Sequence, residues 1–246
     1  MDKKIVIVAV ICCAVFFVDD GYSQNQVVGG VQAKGMDMNL YPYGNISQFG
    51  VPEKSTTGST YLYEDWKLGT AVLSSGAKIK EYPFNIDLAN QTLEIMTNKG
   101  IRALEFKQID SLAISNVGYP SQIFVNAKKY NGAEAQIVGL VEILQQGNIV
   151  LVKYNYIYVK EGAYNAALDM GNNETKLLVR NRYFLFSNEL KTLVEVPKGK
   201  KKFLELLKDS DREAAGAFLS ENNLGTKEER DIKLVVSFLN EKGATL

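Results

Sequence analysis

The sequence predicts a mainly β protein, an antiparallel meander forming an open barrel or a strongly curved sheet, with a short α-helical C-terminal tail. Three observations carry this expectation. Short segments of strand character follow one another from Gly58 onward, each bounded by turn residues. No 3.6-residue apolar pattern separates them, which argues against a parallel α/β arrangement. The last fifty residues or so then change to helical periodicity.

In chain order, residues 24–57 are rich in Gly, Gln, Asn and Ser and read as an irregular lead segment. Strands are predicted over residues 61–74, 78–88, 92–97, 101–106, 122–127, 135–144, 149–160, 176–186 and 190–196. The turns between them are Ser74-Ser75-Gly76, Asn98-Lys99-Gly100, Gly118-Tyr119-Pro120, Asn131-Gly132 and Gly147-Asn148. Tyr82, Phe84, Ile86 and Leu88 alternate with Pro83, Asn85 and Asp87, as on a strand with one buried face. Leu190, Thr192, Val194 and Val196 alternate in the same way. A β domain over residues 58–197 follows, with a helical tail over residues 198–246 packed on it.

In that tail, residues 200–208 form a short amphipathic helix. Ser210 with Glu213 and Thr226 with Glu229 have the spacing of capping boxes opening two more helices. Ile232, Val235, Val236 and Leu239 fall at i, i+3, i+4 and i+7 and make one apolar stripe, which requires a surface to lie on.

The first 23 residues have the order of a cleavable signal peptide: Lys3 and Lys4, an apolar run from Ile5 to Val18, then Gly21 and Ser23 before a cleavage point at Gln24. Fourteen apolar residues are fewer than the roughly 20 a membrane-spanning helix needs. The expectation is an exported protein, periplasmic, outer-membrane-associated or secreted, with no stable membrane span after cleavage.

Composition excludes several chemistries. The chain has no histidine, and its two cysteines, Cys12 and Cys13, lie in the leader. A Ser-His-Asp or Cys-His nucleophile, a histidine or thiolate metal site and a disulfide framework are therefore out of reach of the mature chain. No cofactor is expected. With 28 Lys and Arg against 28 Asp and Glu, no general electrostatic footprint for nucleic acid exists.

The stretch from Gly58 through Tyr61 and Trp66 to Gly69, the segment Pro83-Phe84-Asn85-Ile86-Asp87-Leu88 and the lysine-led helical tail resemble an uncharacterised family of exported bacterial proteins of the Bacteroidetes type. The resemblance implies export and assigns no catalytic residue. Asp110-Ser111-Leu112 matches the short pattern on which such bacteria attach O-glycans.

Candidate ligand-binding residues are Trp66, Tyr154, Tyr156 and Tyr158. Trp66 is the only tryptophan and reads first as a core plug, with sugar stacking as the alternative. Tyr154, Tyr156 and Tyr158 share one face of the 149–160 strand with Val150 and Val152. That face is expected to point inward as core, or else to line a wet or ligand-filled cavity, because each buried hydroxyl needs a partner. Carboxylates that a glycosidase could use include Glu64, Asp65, Asp87, Glu94, Glu134 and Glu142. Asp169, Asn172, Asn173 and Glu174 offer oxygen ligands to calcium, though not at EF-hand spacing. Lys198, Lys200, Lys201 and Lys202 form the one dense basic run.

These features favour a non-enzymatic accessory or binding protein of the bacterial envelope, whose partner is an envelope protein, a glycan or an apolar ligand. The alternatives are a β-barrel-like carrier of a lipid or other apolar ligand, marked by a deep apolar cavity, and a carboxylate-dependent glycan hydrolase, marked by two carboxylates facing across a cleft.

Overall fold

A computed structural model describes residues 55–116, 118–130, 137–165, 168 and 170–246. The predicted leader, most of the lead segment, the Asn131-Gly132 turn, Glu134 and Asp169 lie outside the described residues.

The described strands are β1 (Thr56–Gly58), β2 (Lys67–Leu73), β3 (Lys78–Asp87), β4 (Thr92–Thr97), β5 (Gly100–Glu105), β6 (Ile109–Asn116), β7 (Tyr119–Asn126), β8 (Leu140–Gln145), β9 (Ile149–Lys160), β10 (Tyr164–Asn165), β11 (Met170–Gly171), β12 (Thr175–Ser187) and β13 (Val194–Glu195). Three helices follow: α1 (Lys200–Leu204), α2 (Asp209–Glu221) and α3 (Glu229–Glu241). The main sheet runs β1-β12-β9-β8-β7-β6-β2-β3-β4-β5, with β13 also on β12. It is a mainly β, open and curved sheet, as the sequence predicts. Two antiparallel meanders, β2 to β5 and β6 to β12, are joined where β6 lies against β2. A parallel pairing of β1 with β12 closes the far edge.

β6 went unrecognised in the sequence pattern because a bulge breaks its alternation. Leu73 pairs with Ile109 and Val72 with Ser111, so Asp110 is the extra residue. Ile109 and Leu112 are consequently both buried although three positions apart. The Asp110-Ser111-Leu112 pattern therefore sits in a central strand, with Leu112 in the core. Close approach of β2 and β6 requires a glycine at Gly69, where an added Cβ would stand 2.5 Å from the Ala113 carbonyl oxygen.

Other strand boundaries also shift. The strand predicted over residues 61–74 begins only at Lys67; upstream of it Tyr61 makes a single bridge to Asp87, and the Leu62 N–H donates to Ile86 O. This segment covers the supposedly polar face of β3. Asn85 and Asp87 are buried there, Asn85 donating to Tyr63 O and Asp87 accepting from the Ala89 and Asn90 N–H groups of the following turn. The predicted strand over residues 190–196 shrinks to Val194–Glu195. Lys191 has a left-handed φ of 55° that breaks the alternation, and Leu193 and Val196 go into different apolar clusters.

One face of the sheet carries two apolar clusters. Phe84, Ile86, Leu93, Ile95, Leu112, Ile114 and Phe124 fill the curled half. Ile149, Leu151 and Leu185 meet the helices through Phe203, Leu219, Ile232, Val235, Val236 and Leu239. The opposite face is filled by Val125, Val141, Val152, Phe184 and Leu193.

The helices start without the two predicted capping boxes. The N-cap positions are Lys208 and Glu228, neither with a side-chain cap. Thr226 instead precedes the cap of α3, its hydroxyl buried without a hydrogen-bond partner. The Arg212 guanidinium donates to the carbonyls of Leu204 and Leu207, closing the end of α1.

Asn240 near the end of α3 clamps the sheet: Ile149 N donates to its Oδ1 at 2.8 Å and its Nδ2 donates to Ile149 O at 2.9 Å. Asn240→Leu leaves both backbone groups unpartnered. It should cost about 1–3 kcal/mol, measured as a lower denaturant midpoint at unchanged slope.

Candidate functional site: a cavity at a gap in the sheet edge

β12 is longer than the strands that flank its outer edge. β1 covers it from Thr175 to Leu177, and β13 covers Phe184 and Leu185, with one further bond from Val196 N to Tyr183 O. Between these contacts the edge is open, and a cavity of about 670 Å3 lies at the opening.

Both faces of β12 reach this edge. Tyr156, from β9, and Arg182 come from one face, and Asn181 and Tyr183 from the other. The chain leaving β13 adds Glu195, Val196 and Lys198, and the loop entering α3 adds Thr226 and Lys227. That loop is held by the Gly225 N–H, which donates to Asp231 Oδ2 at 2.8 Å.

The tyrosine face of β9 runs from core to surface. Tyr154 packs with Val150 on the Val125 cluster, Tyr156 lines the cavity, and Tyr158 is 48% exposed. The expectation of plain core therefore fails beyond Tyr154. The reason is topological: β8 pairs β9 only as far as Lys153, and the distal half of β9 projects with β12 beyond the body of the sheet. On the projecting ribbon Tyr154 and Tyr156 stack with ring centroids 6.1 Å apart. The Arg182 guanidinium lies 5.1 Å from the Tyr156 ring centre, and that of Arg180 lies 5.9 Å from Tyr158.

Three cations, Arg182, Lys198 and Lys227, line the cavity against one carboxylate, Glu195, which itself stands 3.9 Å from Arg182. An amide, two tyrosines and a threonine complete the wall. This set suits a polar, anionic ligand with a flat face for an aromatic ring.

Behind the cavity a buried polar seam separates the two apolar clusters. Tyr63 Oη donates to Gln122, Gln122 Nε2 donates to Glu142 at 3.0 Å, and Lys153 Nζ contacts Glu142 at 2.8 Å and Glu229 at 3.1 Å. Tyr183 Oη donates to the same Glu229 oxygen. Burial works against the Lys153 charge, but the hydrogen bonds and field of Glu142 and Glu229 outweigh it and hold the ammonium above its ordinary value. Burial and then the charge of Glu142 push the Tyr63 phenol up, and burial and Glu229 do the same for Tyr183. The seam pins α3 to β9 and sets Tyr183 in the cavity wall.

The remaining candidates are not brought together. Trp66 is half-buried just ahead of β2 and does not line the cavity. Glu64 and Asp65 are exposed, Asp87 is spent in its turn, Glu94 accepts from Tyr61, and Glu142 is paired in the seam. Glu174 accepts from Thr57 and pairs with Lys176. Among the described residues no acidic cluster could hold a metal ion, and no helix is long and apolar enough to cross a membrane. Of the basic run, only Lys198 reaches the cavity. Arg182 and Lys227 escaped the sequence reading, although pairing the predicted 149–160 and 176–186 strands would have set Arg180 and Arg182 beside the tyrosines.

Compared with protein-family models, curated proteins and solved structures, the chain matches none.

Proposed function

We propose that this chain is an exported, non-enzymatic binding protein of the bacterial envelope whose ligand is an acidic saccharide held at the β12 edge. The observation that carries the reading is the composition of the cavity wall, in which Tyr156, with the Arg182 guanidinium 5.1 Å from its ring centre, lines the same cavity as Lys198 and Lys227. Sugar rings stack on an aromatic face through their C–H edges, and an amide such as that of Asn181 meets ring hydroxyls. Carboxylate groups on the sugar answer the cations. Binding is preferred to hydrolysis because the wall carries one carboxylate and not a facing pair. Export rests on the charged, apolar and small-residue order of the leader, and the resemblance of residues 58–69, residues 83–88 and the lysine-led tail to an exported Bacteroidetes-type family supports the same reading.

The test is calorimetric titration of the mature domain with an oligogalacturonate and with an uncharged oligosaccharide of equal length. The charged ligand should bind and weaken with salt. Tyr156→Ala should lower its affinity by at least about tenfold, about 1.4 kcal/mol, while leaving the melting temperature nearly unchanged. Equal binding of the uncharged sugar, or an unaffected Tyr156→Ala, would contradict the reading.

A further inference from the structure

The main sheet ends at one side on β1, a strand of 3 residues, and at the other on β5, a strand of 6. A very short edge offers little to another chain, whereas a longer one needs a proline, a bulge or a cover to keep from recruiting one. β5 has none of these. It pairs with β4 in unbroken register, contains no proline, and has no strand beyond it among the described residues. All its residues are exposed except the half-buried Leu104.

Register identifies the free backbone groups. The turn at Asn98-Lys99 pairs Thr97 with Gly100, and from there the hydrogen bonds to β4 fall on alternate residues, Gly100, Arg102 and Leu104. The N–H and C=O groups of Ile101, Ala103 and Glu105 therefore point away from the sheet. In keeping with this, the Glu105 N–H donates to the Gln108 side chain at 3.0 Å. Ile101 and Ala103 keep both of their groups for a strand not yet present.

The side chains divide between two faces. Arg102, opposite the buried Ile95, and Leu104, opposite Leu93, lie on the core face of the curled half; Ile101, opposite Met96, and Ala103, opposite Glu94, lie on the outer face. Glu94 and Glu105 are thus on the face away from Arg102, which has no carboxylate partner among the described residues. On the outer face Ile101 and Met96 are 56% and 39% exposed, and the β3–β4 and β2–β3 registers continue their row through Pro83 to Leu68, 58% exposed.

We propose that the outer edge of β5 takes up an extended segment of a partner protein as an added antiparallel strand, with an acidic side chain opposite Arg102 and an apolar one opposite Ile101. Main-chain hydrogen bonds to Ile101 and Ala103 supply the attachment, the acid answers the unpaired guanidinium, and its apolar neighbour extends the row from Leu68 to Ile101. A second copy of this chain fits less well. The antiparallel self-pairing that uses both free residues sets Ile101 against Ala103 and so Arg102 against Arg102, and like charges directly opposite destabilise a ladder. This edge and the saccharide cavity share no residue, so the two sites stand or fall separately.

The experiment is titration of the purified protein with the capped pentapeptide Val-Thr-Glu-Ile-Thr, whose residues fall opposite Leu104, Ala103, Arg102, Ile101 and Gly100 in the antiparallel register. One comparison peptide has lysine in place of the glutamate, and another has N-methyl groups on the threonine and isoleucine opposite Ala103 and Ile101. The parent peptide should bind at least about tenfold more tightly than either. Ala103→Pro removes an outward N–H and no bond to β4, and should abolish binding with the melting temperature nearly unchanged. Arg102→Glu should reverse the preference between the glutamate and lysine peptides, and Tyr156→Ala should leave all three affinities as they were. Absence of saturable binding at millimolar peptide, equal binding of the N-methylated peptide, or an unchanged preference in Arg102→Glu would overturn the proposal. So would a concentration-dependent dimer that Ala103→Pro abolishes, since the edge would then serve a second copy.

Discussion

Lys153→Met is expected to destabilise the protein by about 3–5 kcal/mol, since removing one partner of a buried ion pair leaves the other uncompensated. Glu142 keeps the Gln122 amide beside its charge, with its side chain 8% exposed. Glu229 loses its ion pair to β9, one of the ties between α3 and that strand. Replacing both partners, Lys153→Met with Glu142→Leu, should recover most of the loss, because an apolar pair of similar volume joins the clusters on either side. Chemical denaturation of the two variants decides this. A single substitution costing under about 1 kcal/mol would mean that the seam is solvated.

The same seam gives a pH dependence with a definite sign. Lys153 holds its proton more tightly in the fold than its ordinary value of 10.5. Its contribution is fully present below that value and is lost as the pH rises through the raised one. Tyr63 and Tyr183, also raised from 10.0, act in the same direction. Stability should therefore fall from about pH 10 upward.

Phe203→Ala is the second large effect, about 3–5 kcal/mol for truncating a fully buried aromatic side chain. α1 is only five residues long and would not persist alone in water, so its place depends on this ring among Leu207, Leu219 and Val235. Melts of Phe203→Ala against Tyr158→Ala, whose ring is largely outside, should separate a core position from a surface one.

The helical stripe and β9 could be read directly from the sequence, because uninterrupted periodicity reports a buried face. α3 buries the four residues of the stripe, and β9 spans Ile149 to Lys160 as predicted. β6 could not be read, because the Asp110 bulge shifts Ile109 and Leu112 out of step. The two capping boxes misled for a different reason: Ser210 falls inside α2, and packing buries Thr226 ahead of α3. Of the cavity, Tyr156 was visible as one of three aligned tyrosines. Its exposure was not, since it depends on β8 ending early and on the gap between β1 and β13, both of which arise from pairings distant in sequence.

The most direct test of the binding account is amide hydrogen exchange of the purified protein with and without a saturating oligogalacturonate. Protection should be confined to residues 180–183 of β12, the chain from Glu195 to Lys198 and the loop around Thr226 and Lys227. Saturated binding with no added protection there, or protection centred elsewhere on the sheet, would contradict it.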